Sequence, residues 1–320
     1  MKNIRLLVYM ALGVPLVALA QAWPTKPVKM IVAYPPGGGT NTVARLLAEQ
    51  LSKSLGQQVV VENRPGAGGR VGTLSVVRSD ADGYTLLFAS DGELTIAQVT
   101  VRAMPYDPQK DLQPISIAGR GPYVLLTRAG FPANTLGELI AHAKANPGKV
   151  NFGSFGRGSQ NHIIDERFKA AAGISTVHIP YKGSGPLITD LVGGQVDYTF
   201  ATPAATLNLA KAGKLKVLAV AAPQRLVRSD SIVTMSEAGL AGFSGGSWYG
   251  VLAPANTPPT VISRLNAEIV KAMNGQEMRN ALDELSIIPI SGSPAELAEL
   301  IQSETASLRQ LAARIGLEAE

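Results

Sequence analysis

The chain has no cysteine in its 320 residues. Disulfides, thiolate metal sites and a lipid-anchoring N-terminal cysteine are therefore excluded. Histidine is nearly as scarce. His142, His162 and His178 are widely separated, and none falls in an H-x-x-x-H or H-E-x-x-H spacing. Gly153-Ser154-Phe155-Gly156 approaches a G-x-S-x-G nucleophile elbow without the right spacing. There is no G-x-x-x-x-G-K-[ST] loop, and the glycines around Gly66–Gly69 and Gly156–Gly158 miss the dinucleotide pattern. Asp80/Asp82 and Asp107/Asp111 lie in turn-rich sequence and read as turn and cap residues. Together these absences argue against an enzyme and require no metal and no cofactor. Aromatic residues make up only 5% of the chain, and its basic residues are scattered without a run, which argues against a nucleic-acid surface.

Long apolar runs are missing too, except at the N-terminus. There Lys2 and Arg5 precede the apolar stretch Leu6 to Leu19, and Ala20-Gln21-Ala22 forms an A-x-A cleavage site before Trp23. The stretch is shorter than the roughly 20 residues a bilayer-spanning helix needs. The expectation is a signal peptide over 1–22, cleaved after Ala22, and a periplasmic product in a Gram-negative source. A retained signal anchor is the alternative. Cleavage removes two basic residues and no acidic one, so the net charge falls from +5 to +3. A mild positive excess suits an anionic ligand.

What the chain does have is alternation. Residues 23–320 are long enough for two domains, and strand and helix signals alternate almost throughout. That predicts α/β layers with largely parallel sheets. Strands are expected at 28–33, 58–62, 84–89, 115–118, 123–127, 150–152, 177–179, 196–200, 215–221 and 248–253. Beyond these the periodicity turns helical over 258–273, 276–285 and 294–315.

Two glycine-rich turns stand between a strand and a helix. The first, Tyr34-Pro35-Pro36-Gly37-Gly38-Gly39-Thr40-Asn41, precedes Val43, Leu46, Leu47, Leu51 and Leu55 at helical spacing. Glycines let a ligand approach the backbone, and a helix N-terminus favours negative charge. Taken alone, the turn reads equally well as a connection that binds nothing. The second, Gly153 to Ser159, adds the hydroxyls of Ser154 and Ser159 and the guanidinium of Arg157, which suits a carboxylate. Its bland alternative is a loop whose arginine points into water. His162 follows on the first helical turn, facing either the cleft or the surface. One such turn in each half implies a ligand held between two lobes.

An ordered series of further segments carries a resemblance. It runs from Trp23-Pro24-Thr25-Lys26-Pro27 and the Pro-Pro-Gly-Gly-Gly turn with Ala44-Arg45 to Val59-Val60-Val61-Glu62-Asn63-Arg64-Pro65-Gly66-Ala67-Gly68-Gly69. Asp82-Gly83-Tyr84-Thr85-Leu86-Leu87, Pro105-Tyr106-Asp107-Pro108 and Ala145-Asn146-Pro147-Gly148-Lys149 follow. Pro180-Tyr181-Lys182-Gly183, Gly194-Gln195-Val196-Asp197, Ala212-Gly213-Lys214-Leu215, Glu237-Ala238-Gly239 and Trp248-Tyr249-Gly250 complete it. With this series the chain resembles the Bug-type receptors, extracytoplasmic solute-binding proteins of tripartite tricarboxylate transporters.

The resemblance implies a two-lobed α/β periplasmic-binding-protein fold, type II-like, closing as a Venus flytrap about two crossover segments. These are placed near Gly121–Val124 and Tyr249–Leu252. Lobe one is expected over 23–121 plus 250–320, and lobe two over 122–249. The implied contacts to a mono-, di- or tricarboxylate are Tyr34, Pro36, Gly37, Gly38, Gly39, Thr40, Asn41 and Ser90 on one side. On the other they are Ser154, Phe155, Gly156, Arg157, Gly158, Ser159, His162 and Ala201. The implied role is capture of a small organic acid, by a monomer, for delivery to membrane transporter subunits. A sensor that docks on a membrane kinase is the alternative.

Three departures bear on the ligand. Asn41 and Ala201 stand where the family commonly has Asp, and Asp91 to Gln98 lacks the usual Asn-Pro pattern. Fewer carboxylates in the cleft predict a ligand without an ammonium group.

Overall fold

The computed structural model describes residues 23–36 and 39–319. The expected signal segment, and Gly37 and Gly38 of the first turn, lie outside the described residues.

Alternating apolar positions build the first half. Strand β1 (Val28–Val32) leads into α1 (Gly39–Leu55), then β2 (Val59–Asn63), α2 (Arg70–Val77) and β3 (Thr85–Ser90). A single π-helical turn, Gly92–Ile96, runs into the short α3 (Ala97–Thr100), and the long β4 (Leu112–Pro122) follows. The second half contains β5 (Val124–Arg128), α4 (Leu136–Ala145), β6 (Asn151–Ser154), α5 (Gln160–Ala172), β7 (Val177–Pro180) and α6 (Ser184–Gly193). It ends with β8 (Tyr198–Ala201), α7 (Pro203–Lys211) and β9 (Leu215–Val220). The chain then returns through β10 (Gly246–Pro254), α8 (Pro259–Asn274), α9 (Gln276–Glu284), β11 (Ile288–Ser291) and α10 (Pro294–Ile315).

The strands form two sheets, ordered β11-β4-β10-β3-β1-β2 and β7-β6-β8-β5-β9. Both are mixed, which corrects the expectation of largely parallel sheets. The βαβ units pair in parallel, β1 with β2 and β3, and β6 with β7 and β8. The strands that carry the chain between lobes run antiparallel to them: β10 against β3 and β4, and β5 against β8 and β9.

Each sheet is covered on both faces. In β1 and β3, Met30, Val32, Leu86 and Phe88 face the cluster under α1 and α8, while Ile31, Leu87 and Ala89 face α2 and α10. That period of two is what a doubly covered strand requires. On α1, Val43, Leu47 and Leu51 are fully buried, each stabilising by about 1.5–3 kcal/mol. Helix α10 starts with a capping box between Ser293 and Glu296 and ends at left-handed Gly316.

The chain passes between the sheets twice. Outbound it crosses at Tyr123, between β4 and β5. The return lies at Gly245–Gly246, earlier than the expected Tyr249–Leu252, which is already paired with β3 in the first sheet. The two passages touch: Tyr123 N–H donates to Gly245 O at 3.1 Å. A Cβ on Gly246 would stand 2.3 Å from Gly121 O, at φ +148°, so only glycine fits this crossing.

Candidate ligand-binding cleft

The starts of three helices meet between the lobes. Tyr34 and Thr40 come from the first turn and α1, Gly68 and Arg70 from the start of α2, and Gly158, Ser159 and Gln160 from the start of α5. Ser90, Asp91, Gly92 and Ser247 form the floor, and Ile96, Ala97 and Thr100 one wall. The space between them is about 360 Å³, suited to a small metabolite. Ser159 stands at the N-cap of α5, yet its side chain makes no capping bond. Its Oγ instead donates toward Gly156 O (2.6 Å) and Asn161 Oδ1 (2.8 Å). The first-turn N–H groups of α5 therefore lack a side-chain cap and favour an anion.

The lobes touch around this space. Gln160 Nε2 donates to Asp91 Oδ2 and, at 2.7 Å, to Gly246 O, while its Oε1 accepts from Tyr123 Oη at 3.0 Å. Ser247 Oγ donates to the other Asp91 oxygen at 2.7 Å. Ile163 of α5 packs with Ile96, Val99, Leu308 and Leu311 from the opposite lobe.

Acid lies beneath the floor. Glu93 accepts from Tyr34 Oη (2.6 Å), Ser90 Oγ (2.7 Å) and Ser90 N–H (3.0 Å). Burial raises the pKa of Glu93 against these three donors. Asp91 is raised well above the usual carboxylate range, by burial first and then by nearby Glu304. Glu304 itself accepts from Trp248 Nε1 (2.7 Å) and Thr95 Oγ1 (2.9 Å), linking α10 to the π-helical turn.

Behind the second turn, His162 and His178 stack with ring centroids 3.9 Å apart and planes 10° from parallel. Gly158 N–H donates to His162 Nδ1 at 3.0 Å, and His178 Nε2 lies 2.5 Å from Ser154 Oγ. Burial, reinforced by His162, pushes His178 down to about 4. This pair supports the loop from behind.

Of the sequence candidates, Tyr34, Thr40, Ser90, Gly158 and Ser159 line the cleft. Gly39 opens α1 against the Tyr249 hydroxyl. Pro36 and Arg157 are exposed and do not line it, and Gly156 stands behind Ser159. Ser154 and His162 are buried in the loop's support, and Phe155 packs its ring on Tyr123. Asn41 is buried and accepts from Asn63 Nδ2 at 2.8 Å, tying α1 to the end of β2. Ala201 is buried in the core of lobe two. One acid, Asp91, lines the cleft, and Glu93 lies buried behind it. Among the described residues no group of His, Asp and Glu is arranged to hold a metal ion.

Arg70, Asp91, Gln160 and Ser247 were not singled out from sequence. The departing Asp91–Gln98 segment was the one available signal for Asp91.

Residues 43–317 match the profile described as the tripartite tricarboxylate transporter family receptor, TctC. The chain belongs to this receptor family. Protein BugT of Bordetella pertussis is 37% identical over 308 residues, covering 95% of this chain and 94% of that protein. Two solved relatives come from Rhodopseudomonas palustris. Rpa4515 with adipate superposes at TM-score 0.79 with 32% identity, covering 93% of this chain and 100% of that one. MatC (Rpa3494) with bound malate superposes at 0.71 with 30% identity, covering 90% and 99%. The likeness includes both lobes and thus the two-lobed binding-protein fold of the family. Its members are periplasmic solute-binding receptors rather than enzymes. Among the described residues no helix of this receptor is long and apolar enough to cross a membrane.

Proposed function

We propose that this receptor captures a small organic carboxylate between its lobes and delivers it to a tripartite tricarboxylate-type membrane transporter. The observation that carries the reading is the convergence of the α1 and α5 N-termini, from opposite lobes, on one cleft. Thr40 and the uncapped first turn of α5 offer neutral donors to one carboxylate. Because the ligand touches both lobes, it favours the closed state and needs no covalent chemistry. The lobes are assigned as 23–122 with 246–320, and 123–245, each built on one sheet. The carboxylates bound by Rpa4515 and MatC support the ligand class.

Thermal-shift screening of the purified protein against mono-, di- and tricarboxylates, aromatic acids, amines and sugars tests the binding step. A bound acid raises the melting temperature by mass action. Stabilisation by amines or sugars alone would overturn the ligand class. Delivery is tested in cells by deleting the gene, which should abolish uptake of that acid. Uptake that persists while a transcriptional response is lost would favour signalling instead.

A further inference from the structure

We propose that Arg70 selects a second carboxylate, so that the ligand is a diacid rather than a monocarboxylate. This rests on the cleft being a carboxylate site. Arg70 is the one cationic side chain among the described residues that line it. It is half-buried at the start of α2. Its Nη1 folds back over the glycine turn, 3.6 Å from where a Cβ of Gly68 would stand.

Several other arginines pair with acids, and Arg120, half-buried without an ion pair among the described residues, does not line the cleft. Arg64 pairs with Glu62, Arg128 with Asp197, Arg225 with Glu237 and Arg228 with Glu284. No acid among the described residues forms an ion pair with Arg70. The two nearest the floor are held by their own donors: Asp91 by Ser247 and Gln160, Glu93 by Tyr34 and Ser90. Neither neutralises the guanidinium. A charged fork left half-buried without a partner is matched to an incoming planar anion, which it takes through two parallel hydrogen bonds.

The position also decides which carboxylate. The α1 and α5 starts offer neutral donors to one end of the ligand, whereas Arg70 arrives on a third element. Arg157, the guanidinium singled out in the sequence, lies exposed outside the cleft and leaves this role to Arg70.

Isothermal titration of the purified protein with adipate, malate and the chain-matched monoacids hexanoate and 2-hydroxybutanoate tests the assignment. Wild type should bind a diacid more tightly than its monoacid partner. Arg70→Gln should weaken the diacid by about tenfold or more and leave the monoacid within about twofold. Arg70→Lys keeps the charge without the fork and should fall between, and Arg157→Gln should change nothing. Unfolding temperatures of the free variants check that each is folded, and the lysine variant carries the test if the glutamine variant is not. A wild type that prefers the monoacid, or equal diacid affinity in Arg70→Gln, overturns the proposal while the carboxylate receptor stands. Binding of none of these acids by a wild type that binds amines or sugars overturns both.

Discussion

Gln160, at the start of α5 in one lobe, donates a hydrogen bond to Asp91 at the end of β3 in the other. The same amide reaches Gly246 O and receives Tyr123 Oη, so one side chain bridges both lobes and both chain passages. Asp91 is buried and its pKa is raised by that burial. A donor from the opposite lobe, present only when the lobes meet, therefore stabilises the group that most needs one.

Gln160→Ala should shift the free protein toward an open form and weaken ligand binding by about tenfold, the equivalent of one or two hydrogen bonds. Small-angle scattering should show a larger radius of gyration without ligand. An unchanged radius together with unchanged affinity would show that the bridge does not control closure.

Gly158 sits at φ +71°, and a Cβ there would stand 2.8 Å from Thr100 Cγ2 across the cleft. Gly158→Ala adds about 1–2 kcal/mol of backbone strain and presses the loop off α3. Affinity should fall, and Thr100→Ala in the same chain should restore part of it. Additive losses in the double variant would place the damage in the loop alone.

Glu93 holds the hydroxyls of Tyr34 and Ser90 and the Ser90 N–H. Glu93→Ala strands those donors and should cost at least about 1–3 kcal/mol in urea unfolding. Adding Tyr34→Phe should cost less than the sum of the two single changes, since one stranded hydroxyl disappears. Full additivity would deny the coupling.

Asp165 is fully buried, with Tyr198 Oη donating to Oδ1 at 2.6 Å and no partner among the described residues at Oδ2. Burial pushes its pKa from 3.8 up to about 8. The folded chain keeps a proton that the unfolded chain releases, so this group lowers stability as pH rises from about 4 to about 8. His178 acts in the opposite sense. Its pKa falls from 6.5 to about 4, so stability is lost as pH drops through that interval. Of the two, only the Asp165 contribution varies between pH 6.5 and about 8, where stability should fall. Urea unfolding across that range should show a flatter slope in Asp165→Asn. An unchanged slope would assign the dependence to other groups.

The elements legible in the sequence were those with long apolar periodicity. Helix α10 was expected over 294–315 and lies there, and β1, α1 and α8 fall close to their expected places. What escaped was short or held from afar. The π-helical turn Gly92–Ile96 spans one turn and has no period to detect. Strand β11 is a half-buried edge containing Pro289, which reads as loop. Asp91 meets partners 69 and 156 residues away in the chain, a relation no local pattern carries. Arg157 and Arg70 both follow glycine turns. Which one faces the cleft depends on how those loops fold, and the residue types do not report it.

Strands β3 and β4 follow one another in the chain but are not neighbours in the sheet, because β10 lies between them. A chain emerging from the ribosome therefore makes β1, β2 and β3 long before the strand that joins them to β4. Until Gly246–Pro254 arrives, the first lobe is a split sheet with two bare inner edges, while every strand of the second sheet has already been synthesised. The last quarter of the polypeptide thus closes the seam in the lobe that its first residues began.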